Sequence, residues 1–306
     1  MSVTKAVLPV AGLGTRFLPA SKSIPKEMVT VVDRPVIDYV VQEAIAAGIK
    51  QIILVTHSSK RAIEDYFDSQ YELEDTLEKK NKTDLLNSIQ SMIPDDVDVV
   101  AVRQPRPLGL GHAVLCAKSI IGDEPFAVLL PDVLVKPKHN HLQKHLPNDL
   151  QQMIAQYSQA QHAQIMVEQV AADQVSNYGI VDIAGQVIAA GESLLLSGIV
   201  EKPTVDEAPS SLAVVGRYIL PARILTLLQH TKAGAGGEIQ LTDAIAELMR
   251  EAFVDAYRMC GKTFDCGSKL GYLEATLNYG LDHPQLGADF LKLMQHSLAQ
   301  HSRQSK

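Results

Sequence analysis

No apolar run in this chain of 306 residues approaches the roughly 20 residues needed to cross a bilayer. The longest stretches, at residues 5–14 and 126–131, are far shorter, so no membrane-spanning helix is expected. The N-terminus also lacks the apolar core and small-residue cleavage site of a secretory signal, which makes the cytoplasm the expected compartment. Cysteine is scarce: Cys116, Cys260 and Cys266 form no CxxC pair and cannot all be bridged to one another. That usage suits a reducing compartment, and the three read as packing residues. Positive charge is not in excess either, since the formal net charge is -7. This argues against a nucleic-acid binder with a broad basic face, because such affinity comes from neutralising phosphates. If the substrates are anionic, the positive charge that meets them must be local. There is no internal repeat and no low-complexity tract.

What is present is a 46% hydrophobic composition, enough for a substantial core, and a regular alternation of element types. Residues 5–10 read as a short buried strand ended by a glycine turn. Residues 51–56 repeat that character after the helical stripe Val36, Val40, Ala44 and Ala47. Asp33 and Pro35 stand where an N-cap and first-turn proline would start the helix, and Gly48 where it would stop. Strand-like runs at 97–102 and 126–130 flank a helix beginning near Gly109, which extends the βαβ pattern. Residues 71–91 read as a solvated helical insertion, and 136–148 as a polar, histidine-rich surface loop. The second half is more mixed, with strands at 163–170, 179–183, 198–200, 212–220 and 254–259. Helices are expected at 238–251 and 268–279, with a polar helical tail after His283. The expected fold is α/β: a Rossmann-like, mixed but mostly parallel sheet flanked by helices.

The first strand runs into Gly12-Leu13-Gly14-Thr15-Arg16, a tight turn whose exposed N–H groups could cradle phosphate oxygens. The dinucleotide fingerprint GxGxxG is incomplete, since Phe17 occupies the third glycine position. Glycines that merely close a surface turn would look the same. The following stretch, residues 18–28, has Pro19 and Pro25 stiffening a loop that carries Lys22 and Lys26 beyond Arg16. An arginine fork suits terminal phosphate oxygens, and a lysine point charge suits a phosphoryl group under attack. Each cation taken singly could be an ordinary surface charge. Asp132, after the apolar run 126–130, lies at the carboxyl end of a central strand, where open α/β sheets bind ligands. A carboxylate there is a candidate Mg²⁺ ligand.

The run AGLGTRFLPASKSIPKEM resembles the signature of the sugar-nucleotidyltransferases, and within them the bacterial glucose-1-phosphate uridylyltransferases. The wider pattern is GxGTRxxPxTxxxPK, with Ser21 here in the threonine position and the hydroxyl kept. The resemblance extends from Lys5 to about Tyr279. It implies that Arg16 clamps the β- and γ-phosphates and that Lys26 stabilises the transferring phosphoryl group. It also implies a base-reading edge made by Gln104 with backbone at Ala11, Gly12, Leu13, Gly14 and Gly109, although Gln104 could instead be a solvated strand end. Asp265 would join Asp132 on one Mg²⁺, while an Asp-x-Gly by itself is usually a turn. Tyr178-Gly179 and Glu201-Lys202-Pro203 resemble the sugar-phosphate half, with Gly216 on the same pocket. Glu201 would accept sugar hydroxyls, and Lys202 would neutralise the sugar phosphate. The stretch 234–246 also resembles the uridylyltransferase branch.

The implied reaction joins UTP and glucose 1-phosphate by direct attack on the α-phosphorus. A nucleotide-binding half (1–135), a sugar-phosphate-binding half (136–282) and a helical tail (283–306) would make up the chain, with a homo-oligomer, dimer or tetramer, expected. Four alternatives stay open: another base or sugar, as in a thymidylyltransferase; a noncatalytic regulatory paralogue; a nicotinamide oxidoreductase; and a glycosyltransferase resting on Asp96 and Asp98. Two further patterns are set aside. Gly261-Lys262-Thr263 ends like a P-loop but has Ala256 where the first glycine belongs, and reads as a turn. His139, His141 and His145 have metal-like spacing but no cysteine or carboxylate partners.

Overall fold

The structure, a computed structural model, describes residues 2–138, 147–234 and 237–304. Strand β1 (Lys5–Pro9) leads through a loop of three short 3₁₀ turns to the two-residue strands β2 (Thr30–Val31) and β3 (Arg34–Pro35). Helix α1 (Val36–Ala46), β4 (Gln51–Thr56), α2 (Arg61–Phe67), α3 (Tyr71–Lys79), α4 (Thr83–Gln90) and β5 (Asp98–Arg103) follow. Then come α5 (Leu110–Cys116), α6 (Lys118–Ile121), β6 (Phe126–Leu129) and β7 (Val133–Lys136). The rest of the chain forms α7 (Asp149–Ala160), β8 (Ala163–Gln169), β9 (Gly179–Asp182), β10 (Ser193–Leu195), β11 (Gly198–Glu201) and β12 (Leu212–Leu220). It ends with α8 (Arg223–His230), α9 (Leu241–Leu248), β13 (Val254–Arg258), β14 (Lys262–Asp265), α10 (Lys269–Asp282) and α11 (Gly287–Gln304).

One mixed sheet organises these elements, in the order β10-β13-β8-β12-β6-β1-β4-β5. The run from β6 to β5 is parallel, as is the β13–β8 pair, whereas β12 is antiparallel to both its neighbours. Continuous apolar strands such as β4 and β6 are buried on both faces, as a sheet covered by helices on either side requires. Helix α1 turns its stripe Val36, Val40 and Ala44 into one of the two large core clusters. It stops where Gly48, at φ 95°, gives its N–H to Ile45.

Several expectations shift. Asp33 does not cap α1, which begins after Pro35 without a side-chain cap; Arg34–Pro35 instead pairs with Thr30–Val31. Lys136 closes β7 rather than opening a loop, and β7 pairs with β14, so Lys262-Thr263 is strand and not turn. His139, His141 and His145 lie outside the described residues. Helix α9 starts at Leu241 rather than at residue 238, because the Ile239 backbone is engaged elsewhere: its N–H donates to Leu108 O (2.7 Å) and its carbonyl accepts from Gly111 N–H (2.8 Å). Helices α3 and α4 bury no residue, consistent with a solvated insertion. No helix among the described residues is long and apolar enough to cross a membrane.

Candidate active site

The chain runs β1, β4, β5 outward on one side of β1 and then places β6 on the other. The loops after β1 and β6 therefore diverge at the carboxyl edge, and such a switch point is where open α/β sheets hold ligands. The β1 loop supplies the glycine turn. Gly14 sits at φ 67°, left-handed backbone that favours glycine, and its carbonyl accepts from the Ser21 hydroxyl at 2.7 Å. The hydroxyl kept at the position of the wider pattern's threonine thus closes the loop on itself.

Four charged side chains meet across the crevice. Lys26 Nζ lies 2.5 Å from Asp132 Oδ2, Arg16 Nη2 lies 3.7 Å from the same oxygen, and Arg16 Nη1 lies 3.1 Å from Asp265 Oδ2. Asp265 arrives through the β7/β14 pairing, which sets it opposite Val133, and the Cys266 N–H donates to the Asp132 carbonyl at 2.8 Å. Burial alone would push the Asp132 carboxyl up, but Lys26 and then Arg16 hold it below the usual carboxylate range. Gly267 is the residue this junction requires: a Cβ there would stand 2.6 Å from Arg16 Nη2 and 2.8 Å from Asp132 Oδ2. Its N–H also donates to Asp265 Oδ1, so the Asp-x-Gly turn and the charge cluster coexist.

The loop bearing Asp132 is shaped from behind by Arg217 of β12, which is fully buried. Its guanidinium pairs with Glu43 of α1 through two bonds (3.1 and 2.7 Å) and donates to the carbonyls of Leu130 (3.0 Å) and Val133 (2.7 Å). Lys26 is backed in a similar way. The next residue, Glu27, is fully buried and accepts from Lys60 at 2.9 and 2.8 Å. Burial pushes the Glu27 carboxyl up and the Lys60 ammonium down, each opposed by the partner's charge. Lys60→Met is therefore expected to cost about 3 kcal/mol or more, because it leaves an uncompensated buried carboxylate. The double replacement Glu27→Leu/Lys60→Met should cost less than that single change. Denaturant melts decide it; a double variant less stable than Lys60→Met would refute the account.

Beside the cluster opens a cavity of about 470 Å³, lined by Arg16, Asp132 and Asp265 together with Gly179, Glu201 and Lys202. Gly179 leaves room for Glu201, whose Oε2 would lie 3.2 Å from an added Cβ. Lys202 has φ 47°, and its Nζ is 3.7 Å from Glu201 Oε1. One of the expected residues is placed differently. Gly216 does not line the cavity: it sits at φ 86° in an irregularity of β12, and a Cβ would stand 2.6 Å from Leu130. Gly109 is partly exposed, and Glu238 and Ile239 would stand 2.8 and 2.9 Å from a Cβ built there. Gln104 is buried rather than solvated, and its amide donates to Gly109 O at 3.1 Å. Ala11 is buried, whereas Gly12 and Leu13 are exposed.

Comparison with known proteins bears on this arrangement. The family model described as nucleotidyl transferase matches residues 5–280. The chain belongs to the nucleotidyl transferase family. Among its nucleotidyl transferase relatives is a UTP–glucose-1-phosphate uridylyltransferase of Escherichia coli K12, 54% identical over 288 residues that cover 94% of each chain. Of the solved structures, a UTP-bound UGPase from Acinetobacter baumannii is 62% identical with TM-score 0.89, covering 96% of this chain and 99% of that one. A UDP-glucose pyrophosphorylase complexed with UDP-glucose is 42% identical with TM-score 0.79, over 90% and 98% of the two chains.

This nucleotidyl transferase also places in the cavity side chains that sequence reasoning did not single out. Thr242 donates to Glu201 Oε2 at 2.7 Å, and Thr263 donates to Glu168 Oε1 at 2.5 Å. Burial raises the Glu168 carboxyl, opposed by the Thr263 hydroxyl. Tyr178, which the sequence did mark beside Gly179, lines the same cavity; burial raises its hydroxyl, with help from the nearby Asp265 and Glu168 charges, so it stays protonated and able to donate. Thr242 falls within the stretch 234–246 that resembles the uridylyltransferases, which was the one available pointer to it.

Proposed function

We propose that this chain transfers a uridylyl group from UTP to glucose 1-phosphate, giving UDP-glucose and pyrophosphate. The observation that carries the reading is the Arg16–Lys26–Asp132–Asp265 cluster opening directly into the cavity lined by Glu201 and Lys202. Uridylyltransferase relatives that match nearly the whole chain support the choice of substrates. A phosphate oxygen of glucose 1-phosphate attacks the α-phosphorus of UTP. The new O–P bond forms as the α–β bridging bond breaks, and the electron pair leaves with pyrophosphate.

In this reading the protein works by positioning and charge stabilisation. Arg16 grips the β- and γ-phosphates, Lys26 meets the charge that develops on the transferring group, and Lys202 neutralises the sugar phosphate. Glu201, steadied by Thr242, accepts sugar hydroxyls in the space that Gly179 leaves open. Gln104 reads the base. Two carboxylates that form no group of three with an acidic, histidine or cysteine side chain among the described residues suit Mg²⁺, which keeps several waters and takes its other ligands from phosphates. Asp132 and Asp265 would hold it, and when bound it would neutralise phosphate charge. A cytoplasmic location is proposed on the three free cysteines. Self-association is proposed on the exposed leucines of α10 and α11, among them Leu270, Leu273 and Leu293.

Pyrophosphate release measured over a panel of UTP, dTTP and CTP against glucose 1-phosphate and galactose 1-phosphate tests the reading. The UTP and glucose 1-phosphate pair is expected to give the highest kcat/KM. A higher value with dTTP would make the enzyme a thymidylyltransferase instead.

A further inference from the structure

The amide of Gln104 is held in one orientation by its neighbours. Its Nε2 lies 3.1 Å from the carbonyl of Gly109 and 3.1 Å from His112 Nδ1. A main-chain carbonyl can only accept, so the end of the amide that faces Gly109 is the NH₂ group, whatever ambiguity attaches to amides in general. One of its two hydrogens serves Gly109. The other serves His112, which requires a lone pair on Nδ1 and so the neutral ring protonated on Nε2. Burial moves the His112 pKa downward, which favours that neutral form.

Both amide hydrogens are therefore used inside the protein, and only Oε1 remains to address a ligand. That oxygen makes no hydrogen bond to the described residues. It is not sealed off either, since Glu64 Oε1 is the only buried side-chain polar atom without a hydrogen-bond partner among them. Gln104 itself is only 6% exposed and is fixed at the end of β5 by its N–H bond to Thr56 O. A glutamine free to turn could offer either a donor or an acceptor. This one offers an acceptor alone.

We propose that His112 is a positioning residue for base selection: its Nδ1 engages the amide hydrogen that Gly109 O leaves free and so holds Gln104 as an acceptor, which favours a pyrimidine with a protonated N3 over one without. Uracil donates at N3, whereas the N3 of cytosine is a bare lone pair that would face the Gln104 oxygen. The site thus discriminates UTP from CTP by leaving the wrong base with two acceptors in opposition, the strongest form of polar selection. The inference rests on the reading of Gln104 as the base reader, and the test separates the two.

Steady-state kinetics of the full chain with UTP and with CTP would be measured for His112→Phe, His112→Asn and Gln104→Leu. His112→Phe fills similar space but cannot accept, and should lower the UTP-to-CTP ratio of kcat/KM by about tenfold or more. The loss should fall on KM for UTP, with KM for glucose 1-phosphate unmoved. His112→Asn, whose side-chain oxygen can stand where Nδ1 does, should restore most of the ratio. A wild-type ratio in His112→Phe alongside a collapsed ratio in Gln104→Leu would overturn the role of His112 alone. A ratio unchanged in Gln104→Leu would overturn the base-reading assignment and this inference with it. If His112→Asn behaves like His112→Phe, the ring acts by packing and the inference falls.

Discussion

Lys26→Ala is expected to lower turnover by roughly 10²–10³-fold while changing UTP affinity far less, the magnitude typical of losing one preorganised donor at a developing charge. Lys26 is only partly exposed and its position is set by Pro25 before it and the buried Glu27–Lys60 pair after it, so it meets the reacting group without reorganising. Ground-state binding of the triphosphate draws on Arg16 and the loop backbone as well, which is why affinity should survive. Single-turnover measurements at saturating UTP separate the two effects. Turnover close to the unsubstituted enzyme would remove Lys26 from the transition state. The variant should stay folded, since Arg16 still lies near Asp132.

Asp132→Asn should be the other severe change. The amide keeps the shape of the side chain and loses the charge that Lys26, Arg16 and the proposed Mg²⁺ share. Half-saturation by Mg²⁺ should rise by about tenfold or more, with turnover reduced even at high Mg²⁺. Asp265→Asn should act in the same direction on Mg²⁺. Titration of activity against Mg²⁺ at fixed UTP is the measurement, and an unchanged curve for Asp132→Asn would place the metal elsewhere. The substitution also removes a pH dependence. Because the folded-state pKa of Asp132 is depressed, its ion pairs stabilise the fold above the unfolded value near 4 and are lost as pH falls through the folded value. Acid unfolding of the Asn variant should lack that component.

Much of the architecture was legible because its signals are local. The strand at residues 51–56 and the stripe from Val36 to Ala44 declare themselves by period, and the observed β4 has the same bounds. The short strands β7 and β14 did not, since each is four residues long and, among the described residues, pairs only with the other. The site divides in the same manner. Arg16, Lys26, Asp132 and Asp265, to which the reacting chemistry is assigned in the proposal, sit in recognisable local runs, and they converge. The contacts that aim them join residues far apart in sequence, such as Arg217 with Glu43 or Thr242 with Glu201, and no local pattern announces such a pair. Glycines illustrate the limit from the other side. Gly109 and Gly216 look like places where a ligand approaches, yet each is also required because a Cβ would collide with protein.

The guanidinium of Arg217 has a consequence for how separable the chain is. The loop that presents Asp132 depends on a donor 87 and 84 positions downstream of the carbonyls it binds, and Glu43 depends on the same group for its counter-charge. A fragment ending after β7 would carry the whole glycine-rich loop and yet strip the Arg217 donor from the Val133 carbonyl, leave Leu130 O with only a long bond from Val133 N–H (3.5 Å), and leave Glu43 without its counter-charge. The first half of the chain, proposed to bind the nucleotide, is thus not a portable cassette. To move it into another protein, β12 would have to travel with it.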